Sequence, residues 1–529
     1  DIVTPFKFTP FTEELFIPPL AKPSAPFENP CAEEFKGLAG LAEPKFYEIT
    51  MREGVAQIVP GVDTRIWGYE GISPGPTFKV RHNEPTIVRF HSEVNATTIV
   101  HNHGGHIPSK SDGSADVNPE MLIHPGESRV FCYPNIAPVE NGRQQMTDFA
   151  STQWYHDHGH IPELHVGTSG QNIYMGLMGF YLLTDEIEEG LIAGKVLPGP
   201  EHDIPLALAD KALAPDGTLI YDVNGFDGHL GDLLTVNGMV QPKITVERRK
   251  YRFRILNASN ARWWELRLSN GAPLLQIGSD TWLLGNAVIP VSFGADGPPR
   301  RGTVRLGNAE RAEVIIDFSK VEGNELFLEN ILPQDDGRRP EKEIVIPGTP
   351  ILKFEISDAP VTDDVSVTVG TPLRPHKPIL EEEIVASRVF EFDRNGGKWT
   401  VNSLPYDPHK DDAAPVKETA ERWILKNPAG GWAHPIHIHL EGFQVQSSSI
   451  NPVPPQERFK KDTVRLEPGE TVEIFVKFRT FSGRFVFHCH NIEHEDLSMM
   501  AIFNVDNTPL PSFDVPPGHL GEPPLVEIL

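Results

Sequence analysis

Short runs in which apolar and polar residues alternate recur along this chain, and glycine and proline separate them. Clear cases lie at residues 47–51 (YEITM), 77–80 (TFKV) and 86–90 (TIVRF). Alternation with a period of two is typical of strands that bury one face. The 50 prolines and 45 glycines supply many turns between such strands. The pattern therefore predicts an all-β protein built from β-sandwiches.

The length of the chain predicts several domains. A chain of 529 residues is too long for one compact core, and about three domains are expected. An acidic segment at 185–190 is predicted to end the first strand-rich block. The predicted parts are an irregular Pro- and Glu-rich arm (1–45), a first domain (46–190), a structural second domain (200–357), a linker (358–385) and a third domain (386–529).

Composition excludes some partners and leaves the class of soluble globular proteins. Apolar content of 39% and charged content of 23% are ordinary. The formal net charge of −26 and the lack of a basic patch argue against a nucleic-acid partner. Runs of about 18 apolar residues do not occur, so no membrane span is predicted. The chain opens at Asp1 without a starter Met or an apolar signal core, which fits a processed mature form.

The most informative stretch lies near the C-terminus and reads FHCHNIEHEDLSMM. If residues 485–490 form a strand, Cys489 points to one face while His488 and His490 point to the other. One thiolate would then serve a site on one side, and two imidazoles would serve a second site on the other.

The ligands around the thiolate indicate copper. Cys with two His and a weak Met is the ligand set of a blue-copper electron-transfer centre. His494 and Met499 follow Cys489 at short range, so one further histidine must come from elsewhere in the chain.

Four His-x-His pairs supply the remaining ligands. They begin at His101, His156, His437 and His488, and each spacing of two puts both imidazoles on one face of a strand. Structural zinc would favour several cysteines, which this chain lacks. Two pairs lie in the first block and two in the last, so the cluster must form where those blocks meet.

Eight imidazoles beyond the blue site can hold three more metal ions. Cys489 is flanked by two of these ligands and would conduct electrons from one site to the other. The arrangement predicts one-electron oxidation of a donor at the blue copper. Four coppers would supply the four electrons that reduce dioxygen to two waters.

These motifs carry a family resemblance over essentially the whole chain, which resembles a three-domain multicopper oxidase. The motifs are HNHG from His101, WYHDH from Trp154, HPIHIHL from His434 and HCHNIEHEDLSMM from His488. The segment KYRFRILNA from Lys250 resembles the middle domain of spore-coat laccases and fungal bilirubin oxidases. The resemblance implies three consecutive cupredoxin-like Greek-key β-sandwich or barrel domains.

The resemblance also implies a ligand set for four copper ions. Met500 is an alternative axial ligand, but the family spacing favours Met499. The implied ligands are His434, Cys489, His494 and axial Met499 for type 1 copper, His101 and His437 for type 2, His103, His156 and His490 for one type 3 ion, and His158, His439 and His488 for the other.

Reduction of dioxygen consumes protons, so acids are expected near the cluster. Asp112 follows His103 in the segment where bilirubin oxidases and spore-coat laccases carry an aspartate beside the cluster. Glu493 resembles an acid of the spore-coat laccases. Both are predicted proton relays, and the alternative of a solvated surface acid fits Glu495 and Asp496 better than these two.

The donor is less well defined by the sequence. Trp432 stands two residues before His434, as in bilirubin oxidases, and either lines the donor edge of the type 1 copper or is a core tryptophan. Phenoxazinone-forming aminophenol oxidases share this architecture. We expect phenolic or aminophenolic donors, with bilirubin-like tetrapyrroles also open.

Three rival functions come from other classes. A cuprous-ion metallo-oxidase would use Met-rich docking segments, and the chain has only eight methionines. A non-enzymatic copper-binding protein would not need eight histidines for a trinuclear site. A nitrite reductase would leave the type 3 pairs without a role.

The remaining features concern location. Cys31 and Cys132 are either a free buried pair or a disulfide, which would imply an oxidising compartment. Asn95 and Asn257 begin glycosylation sequons. We expect a secreted, monomeric protein, with a spore or cell surface as the alternative.

Overall fold

The computed structural model describes residues 4–161, 166–294, 298–359, 361–428 and 430–506. The predicted arm begins, and the predicted third domain ends, outside these residues. Strands dominate throughout, and the described residues form only three α-helices, which confirms the all-β prediction. Short 3₁₀ helices lie at Ser109–Ser111, Pro119–Met121, Met146–Asp148, Pro200–His202, Phe318–Lys320, Glu381–Glu383 and Pro455–Glu457.

The first block contains two four-stranded sheets, ordered β2-β1-β4-β6 and β3-β12-β9-β5. Phe90 from one sheet and Phe78 and Tyr155 from the other share a buried core. Its elements are β1 (Lys45–Ala56), β2 (Thr64–Tyr69), β3 (Gly75–Arg81), β4 (Thr86–Ser92), β5 (Val100–His103), β6 (Ser128–Tyr133), β7 (Val139–Glu140), β8 (Arg143–Gln144), β9 (Thr152–Asp157), β10 (His160–Ile161), β11 (Val166–Gly167), α1 (Ser169–Met175), β12 (Met178–Thr184) and α2 (Glu186–Ala193).

The second block pairs a seven-stranded sheet, β15-β14-β13-β17-β24-β19-β20, with a five-stranded one, β16-β26-β25-β18-β23. Phe253, Leu266 and Phe354 lie in the core between them. Its elements are β13 (Asp203–Lys211), β14 (Leu233–Val236), β15 (Met239–Val240), β16 (Lys243–Val246), β17 (Lys250–Asn257), β18 (Trp264–Leu268), β19 (Leu275–Ser279), β20 (Trp282–Val288), β21 (Val291–Ser292), β22 (Arg300–Arg301), β23 (Val304–Leu306), β24 (Arg311–Asp317), β25 (Glu325–Asn330) and β26 (Thr349–Ile356).

The third block pairs a six-stranded sheet, β28-β27-β29-β34-β31-β32, with a four-stranded one, β33-β30-β35-β36. Trp423, Phe487 and Phe503 belong to its core, which also contains Cys489. Its elements are β27 (Ile384–Asn395), β28 (Lys398–Val401), β29 (Ala420–Lys426), β30 (His434–Ile438), β31 (Phe443–Ser448), β32 (Lys460–Lys461), β33 (Thr463–Leu466), β34 (Thr471–Lys477), β35 (Gly483–Cys489), α3 (Ile492–Asp496) and β36 (Met500–Val505).

The acidic segment after the first block forms helix α2. The sequence predicted only that this segment ends the block, and it did not predict a helix. Asp185 caps this helix by accepting a hydrogen bond from the backbone N–H of Glu188 at 3.0 Å. Acidic side chains in the first turn are favourable at the positive end of a helix dipole. The acidic residues at 185–189 therefore stabilise the N-terminus of a helix.

The arm and the linker follow the surfaces of the blocks. Glu14 bridges to Lys243 of the second block and Leu20 to Thr77 of the first. In the linker, the Ser366 backbone N–H donates to the Lys195 carbonyl at 2.9 Å, just beyond α2. The domain boundaries themselves stay a prediction.

Candidate metal centres

The strands that carry the C-terminal histidine motifs are hydrogen-bonded neighbours. β30 and β35 run antiparallel, with Ile436 opposite Cys489 and His437 opposite His488. Since successive side chains in a strand point to opposite faces, His437 and His488 share one face and Cys489 takes the other. β35 therefore separates two groups of polar donors, as its sequence predicts.

The histidines of the first and third blocks meet face to face. β5 and β9 are antiparallel neighbours, with His101 opposite His156. The His101 ring stacks on His439 with centroids 3.9 Å apart, and His103 stacks on His437 at 3.6 Å. The expected junction between the two blocks is thus a physical contact between imidazoles.

One thiol and two imidazoles converge on the core side of β35. Cys489 Sγ lies 3.6 Å from Nδ1 of both His434 and His494, and these two nitrogens are 3.1 Å apart. Met499 is buried in the same core as Cys489, whereas Met500 packs in a separate cluster. This packing favours Met499 over Met500 as the axial neighbour.

Three groups of imidazoles lie on the opposite side. His488 Nε2 is 3.2 Å from Nε2 of both His158 and His439. Each group holds three ring nitrogens within 4.8 Å of one another, and the groups are His158, His439 and His488; His103, His156 and His490; and His101, His103 and His437.

These groups have the chemistry of metal sites. Buried polar atoms are normally hydrogen-bonded, yet several ring nitrogens here are buried without a partner among the described residues. Burial also lowers the pKa of most of these histidines, including His101 and His437, which favours the neutral form that binds metal, whereas the Glu495 carboxylate raises the pKa of His488. The unpartnered nitrogens are His101 Nε2, His103 Nδ1, His156 Nε2, His437 Nε2 and both ring nitrogens of His490.

The thiol of Cys489 requires a cation before it can ionise. Complete burial raises its pKa well above the ordinary value, because a thiolate is poorly solvated there. Cys489 would bind a metal as the thiolate, with the thiol proton released on binding. Soft thiolate with two imidazoles is a donor set that suits copper.

Asp112 lies where the sequence places it, beside the histidine cluster. Its Oδ2 is 2.7 Å from His439 Nδ1, and its backbone carbonyl is 2.5 Å from His101 Nδ1. Burial raises the pKa of this carboxyl to about 7, against a hydrogen bond from Ser114 that lowers it. Asp112 therefore contacts the cluster with a group that can hold a proton near neutral pH.

Glu493 lies elsewhere. Its carboxylate accepts hydrogen bonds from Asn260 at 2.7 Å, Tyr221 at 2.9 Å and the backbone N–H of His229 at 3.1 Å. All three partners belong to the stretch assigned to the second domain. Burial raises the pKa of Glu493 to about 7, but these hydrogen bonds direct it away from the cluster histidines.

The expectation that Glu495 and Asp496 are surface acids is wrong. Both are buried, because α3 turns back against α1 directly after β35. Glu495 Oε2 lies 3.0 Å from His488 Nδ1, and Oε1 lies 3.6 Å from His158 Nε2. Asp496 accepts from the first amides of α1, including that of Gly170 at 2.9 Å. Glu495 takes the place by the cluster that was expected for Glu493.

Two tryptophans cover the imidazole of His494. Trp432 is partly buried, and its ring centroid is 5.6 Å from that of His494. Trp399 is closer, at 3.8 Å, and its indole N–H donates to the Phe226 carbonyl at 2.7 Å. Sequence reasoning missed Trp399 because it stands in the β27–β28 hairpin, at no fixed spacing from a histidine motif.

The remaining predicted sites have different outcomes. Cys31 and Cys132 form a disulfide with Cα atoms 5.7 Å apart. Asn257 is fully buried, and its amide donates to the carbonyls of Arg262 and Leu306. A glycan at Asn257 is therefore incompatible with the fold, so that prediction is wrong. Asn95 is exposed, and its sequon stays a prediction.

Fold and site together define an all-β metalloprotein with a thiolate site next to a histidine cluster, and comparison with known proteins identifies its family. Models described as multicopper oxidase match residues 50–187 and 382–509. The chain belongs to the multicopper oxidase family. The donors at both centres fit copper: a thiol with two imidazoles on one side of β35, and three groups of imidazoles on the other.

Individual relatives agree with this family. Over 95% of the chain and 82% of the relative, it is 34% identical to a bilirubin oxidase from Albifimbria verrucaria. Identity to a laccase from Bacillus subtilis (strain 168) is 31%, covering 90% of the chain and 97% of the relative. A laccase structure from Pediococcus acidilactici Pa5930 superposes with a TM-score of 0.76 at 28% identity, covering 95% and 96% of the two chains.

The chain is a laccase-like copper oxidoreductase. A cuprous-ion metallo-oxidase is only a minor alternative. Among the described residues, no helix has both the length and the apolar character needed to cross a membrane.

Proposed function

We propose that the protein binds four copper ions and couples oxidation of phenolic or aminophenolic donors to reduction of dioxygen to water. His434, Cys489, His494 and Met499 would hold one ion. The other three would be held by the eight histidines of the four His-x-His pairs. Copper would supply one-electron chemistry at the first site, and the four ions together would supply the four electrons that dioxygen needs.

The observation that carries this proposal is the position of Cys489. Its thiol reaches one donor group, while its two chain neighbours, His488 and His490, belong to the groups on the opposite side. Because these residues are consecutive, the covalent chain connects the two centres directly. A protein that only stored copper would not need this connection.

The chain also supplies protons at the cluster. Glu495 and Asp112 contact cluster histidines through their carboxylates, and both are buried. A positioned acid near a reacting oxygen is an effective proton donor. Glu495 and Asp112 are therefore the proposed proton relays, and Glu493 is assigned no direct contact with the cluster.

Donor electrons enter through His494, whose ring packs against Trp399 and Trp432. Trp399 is buried, whereas Trp432 is partly exposed and can contact a flat aromatic donor, because aromatic rings pack favourably at centroid distances of about 4.5–7 Å. Planar phenols and aminophenols satisfy this geometry, as does bilirubin with a larger surface.

The test is oxygen consumption by copper-loaded protein with a methoxyphenol, 2-aminophenol, bilirubin and Cu(I) as donors. Turnover with the two small aromatic donors above that with Cu(I) is expected. Bound copper without oxygen uptake would contradict the oxidase, and faster turnover with Cu(I) would favour the metallo-oxidase.

Two further proposals concern the setting of the enzyme. The buried Cys31–Cys132 disulfide supports folding in an oxidising compartment, in keeping with a secreted or cell-surface protein. The chain is proposed to act as a monomer, which light scattering of the purified protein would test.

A further inference from the structure

The second block, predicted to be structural, reaches the histidine cluster through one arginine. Arg311 begins β24 and is only 1% exposed. Its guanidinium donates through Nη1 to Asp462 Oδ1 at 2.9 Å and through Nη2 to Asp462 Oδ2. Asp462 lies between β32 and β33 of the third block. This bidentate ion pair, with two parallel hydrogen bonds, therefore joins the second block to the third.

Asp462 contacts histidines from two different blocks. Its Oδ1 is 3.1 Å from Nε2 of His103, which comes from the first block. Its backbone carbonyl is 2.8 Å from Nδ1 of His437, which comes from the third. The two imidazoles stack with centroids 3.6 Å apart and planes 14° from parallel. One residue thus orients a facing pair of cluster histidines.

These contacts select opposite nitrogens in the two rings. A carboxylate only accepts hydrogen bonds, so neutral His103 carries its proton on Nε2 and its lone pair on Nδ1. By the same reasoning, His437 carries its proton on Nδ1 and its lone pair on Nε2. Both lone-pair nitrogens are buried, and neither has a hydrogen-bond partner in the described part of the chain.

Asp462 is itself fixed from the second block. Asp280 Oδ2 accepts from the backbone N–H groups of Asp462 at 2.9 Å and Thr463 at 3.1 Å. Asp280 Oδ1 accepts from the backbone N–H of Arg311 at 3.2 Å. A carboxylate this deeply buried is costly unless a paired charge compensates it. Arg311 supplies that charge to Asp462.

We propose that Arg311 and Asp462 are positioning residues that present His103 through Nδ1 and His437 through Nε2 to the metal at the junction of the blocks. Copper loading then depends on the second block, which acts as more than a spacer. This inference rests on the proposed function, because it takes the bound metal to be copper.

The first test is made without metal. In the copper-free full chain labelled with ¹⁵N-histidine, the shifts of the His103 ring nitrogens report which one carries the proton. We expect an Nε2–H tautomer in the parent and a mixed population in Asp462→Asn, since an amide can donate as well as accept. An identical pattern in both proteins would overturn the proposal.

The second test measures copper affinity by competition with a chelator. Loss of a group that orients a ligand typically weakens metal binding about 10–100-fold, and we expect this range for the cluster copper in Asp462→Asn. The blue colour of the Cys489 site should persist, and it reports that the third block is folded. Cluster affinity equal to that of the parent would contradict the proposal.

A matched control separates positioning from general stability. Asp185 and Arg374 form an equally buried two-bonded pair at 2.7 and 2.8 Å, and in the described residues it hydrogen-bonds no cluster histidine. Asp185→Asn should lower the melting temperature and leave copper affinity unchanged. An equal loss of cluster copper in Asp185→Asn would reduce Asp462 to a structural role and overturn the assignment.

Arg311→Lys provides a milder variant in case Asp462→Asn does not fold. Lysine keeps the charge but cannot make the two-bonded contact, so a smaller loss of cluster copper is expected. Parent-like affinity and tautomer in this variant would overturn the role of Arg311. If the parent itself binds copper only at the Cys489 site, the proposed function fails, whereas the tautomer measurement still tests the positioning.

Discussion

The two faces of β35 have opposite characters. On the Cys489 side, the donors are surrounded by aromatic and aliphatic side chains such as Phe487, Trp399 and Met499. On the His488 side, the imidazoles are surrounded by carboxylates, including Asp112 and Glu495. One strand therefore separates an apolar centre from a centre rich in acids.

This difference follows from what each centre must move. Electron transfer needs a rigid site with little solvent to reorganise, and a tightly packed core provides it. Dioxygen reduction needs protons as well as electrons, and buried carboxylates provide a place to hold them. Substitutions confined to one face of β35 test whether the two faces have these separate roles.

The largest effect is expected on folding stability at acidic pH when copper is removed. The cluster histidines and His434 are buried, and burial lowers the pKa of most of them, that of His434 to about 3 from its ordinary 6.5, with His488 beside Glu495 as the exception. The unfolded chain then binds protons first as the pH falls, so this stability is present above pH 6.5 and is lost below it. Each such group contributes up to about 1.4 kcal/mol per pH unit.

Chemical denaturation of copper-free and reloaded protein between pH 4 and 8 measures this effect. The copper-free form should lose stability steeply below pH 6.5, and reloading should restore it, because copper binds only the folded state. A copper-free protein with pH-independent stability would contradict the assignment of these histidines as neutral ligands.

Glu495→Gln should impair only the acid-rich face. We expect kcat to fall about 10–100-fold, since groups that contact metal ligands typically have effects of this size, while the blue colour stays unchanged. Glu493→Gln is the matched control, because its carboxylate hydrogen-bonds Tyr221 and Asn260 instead. Equal losses in both variants, measured by oxygen uptake, would remove the distinction drawn between them.

Trp432→Ala should weaken donor binding at the apolar face. An aromatic contact contributes about 0.5–1.5 kcal/mol beyond its buried area, so KM for a methoxyphenol should rise roughly 2–13-fold with little change in copper content. Steady-state kinetics measure the change. An unaltered KM would assign Trp432 to the core, as the plain reading of its sequence position allows.

The smallest structural change is expected from Met499→Leu, and Met500→Leu is its control. Swapping buried methionine for leucine usually costs less than about 1.5 kcal/mol. Only Met499→Leu should alter the blue absorption and raise the potential, because it removes the axial thioether. Redox titration distinguishes the two, and a shift confined to Met500→Leu would reverse the axial assignment.

The sequence predicted the donor groups well because strand alternation and His-x-His spacing are local properties. His101, His437 and Cys489 all lie where a period of two puts them. The sequence placed Glu493 rather than Glu495 beside the cluster, whereas the turn of helix α3 after β35 brings Glu495 to His488. Local spacing cannot show that α1 packs against this helix.

Long-range contacts account for what else was missed. Arg311 and Asp462 are 151 residues apart, and their ion pair depends on how the second block docks on the third. Trp399 likewise reaches His494 from a distant hairpin. Such contacts leave no motif in the sequence, whereas the copper ligands do.

The most direct test of the two-faced strand is copper analysis of Cys489→Ser, combined with visible and EPR spectroscopy and donor-driven oxygen uptake. The account predicts loss of the blue colour and of donor oxidation, with copper retained by the histidines on the opposite face. The account would be contradicted if Cys489→Ser still oxidised the donor or still showed the blue absorption of the parent protein.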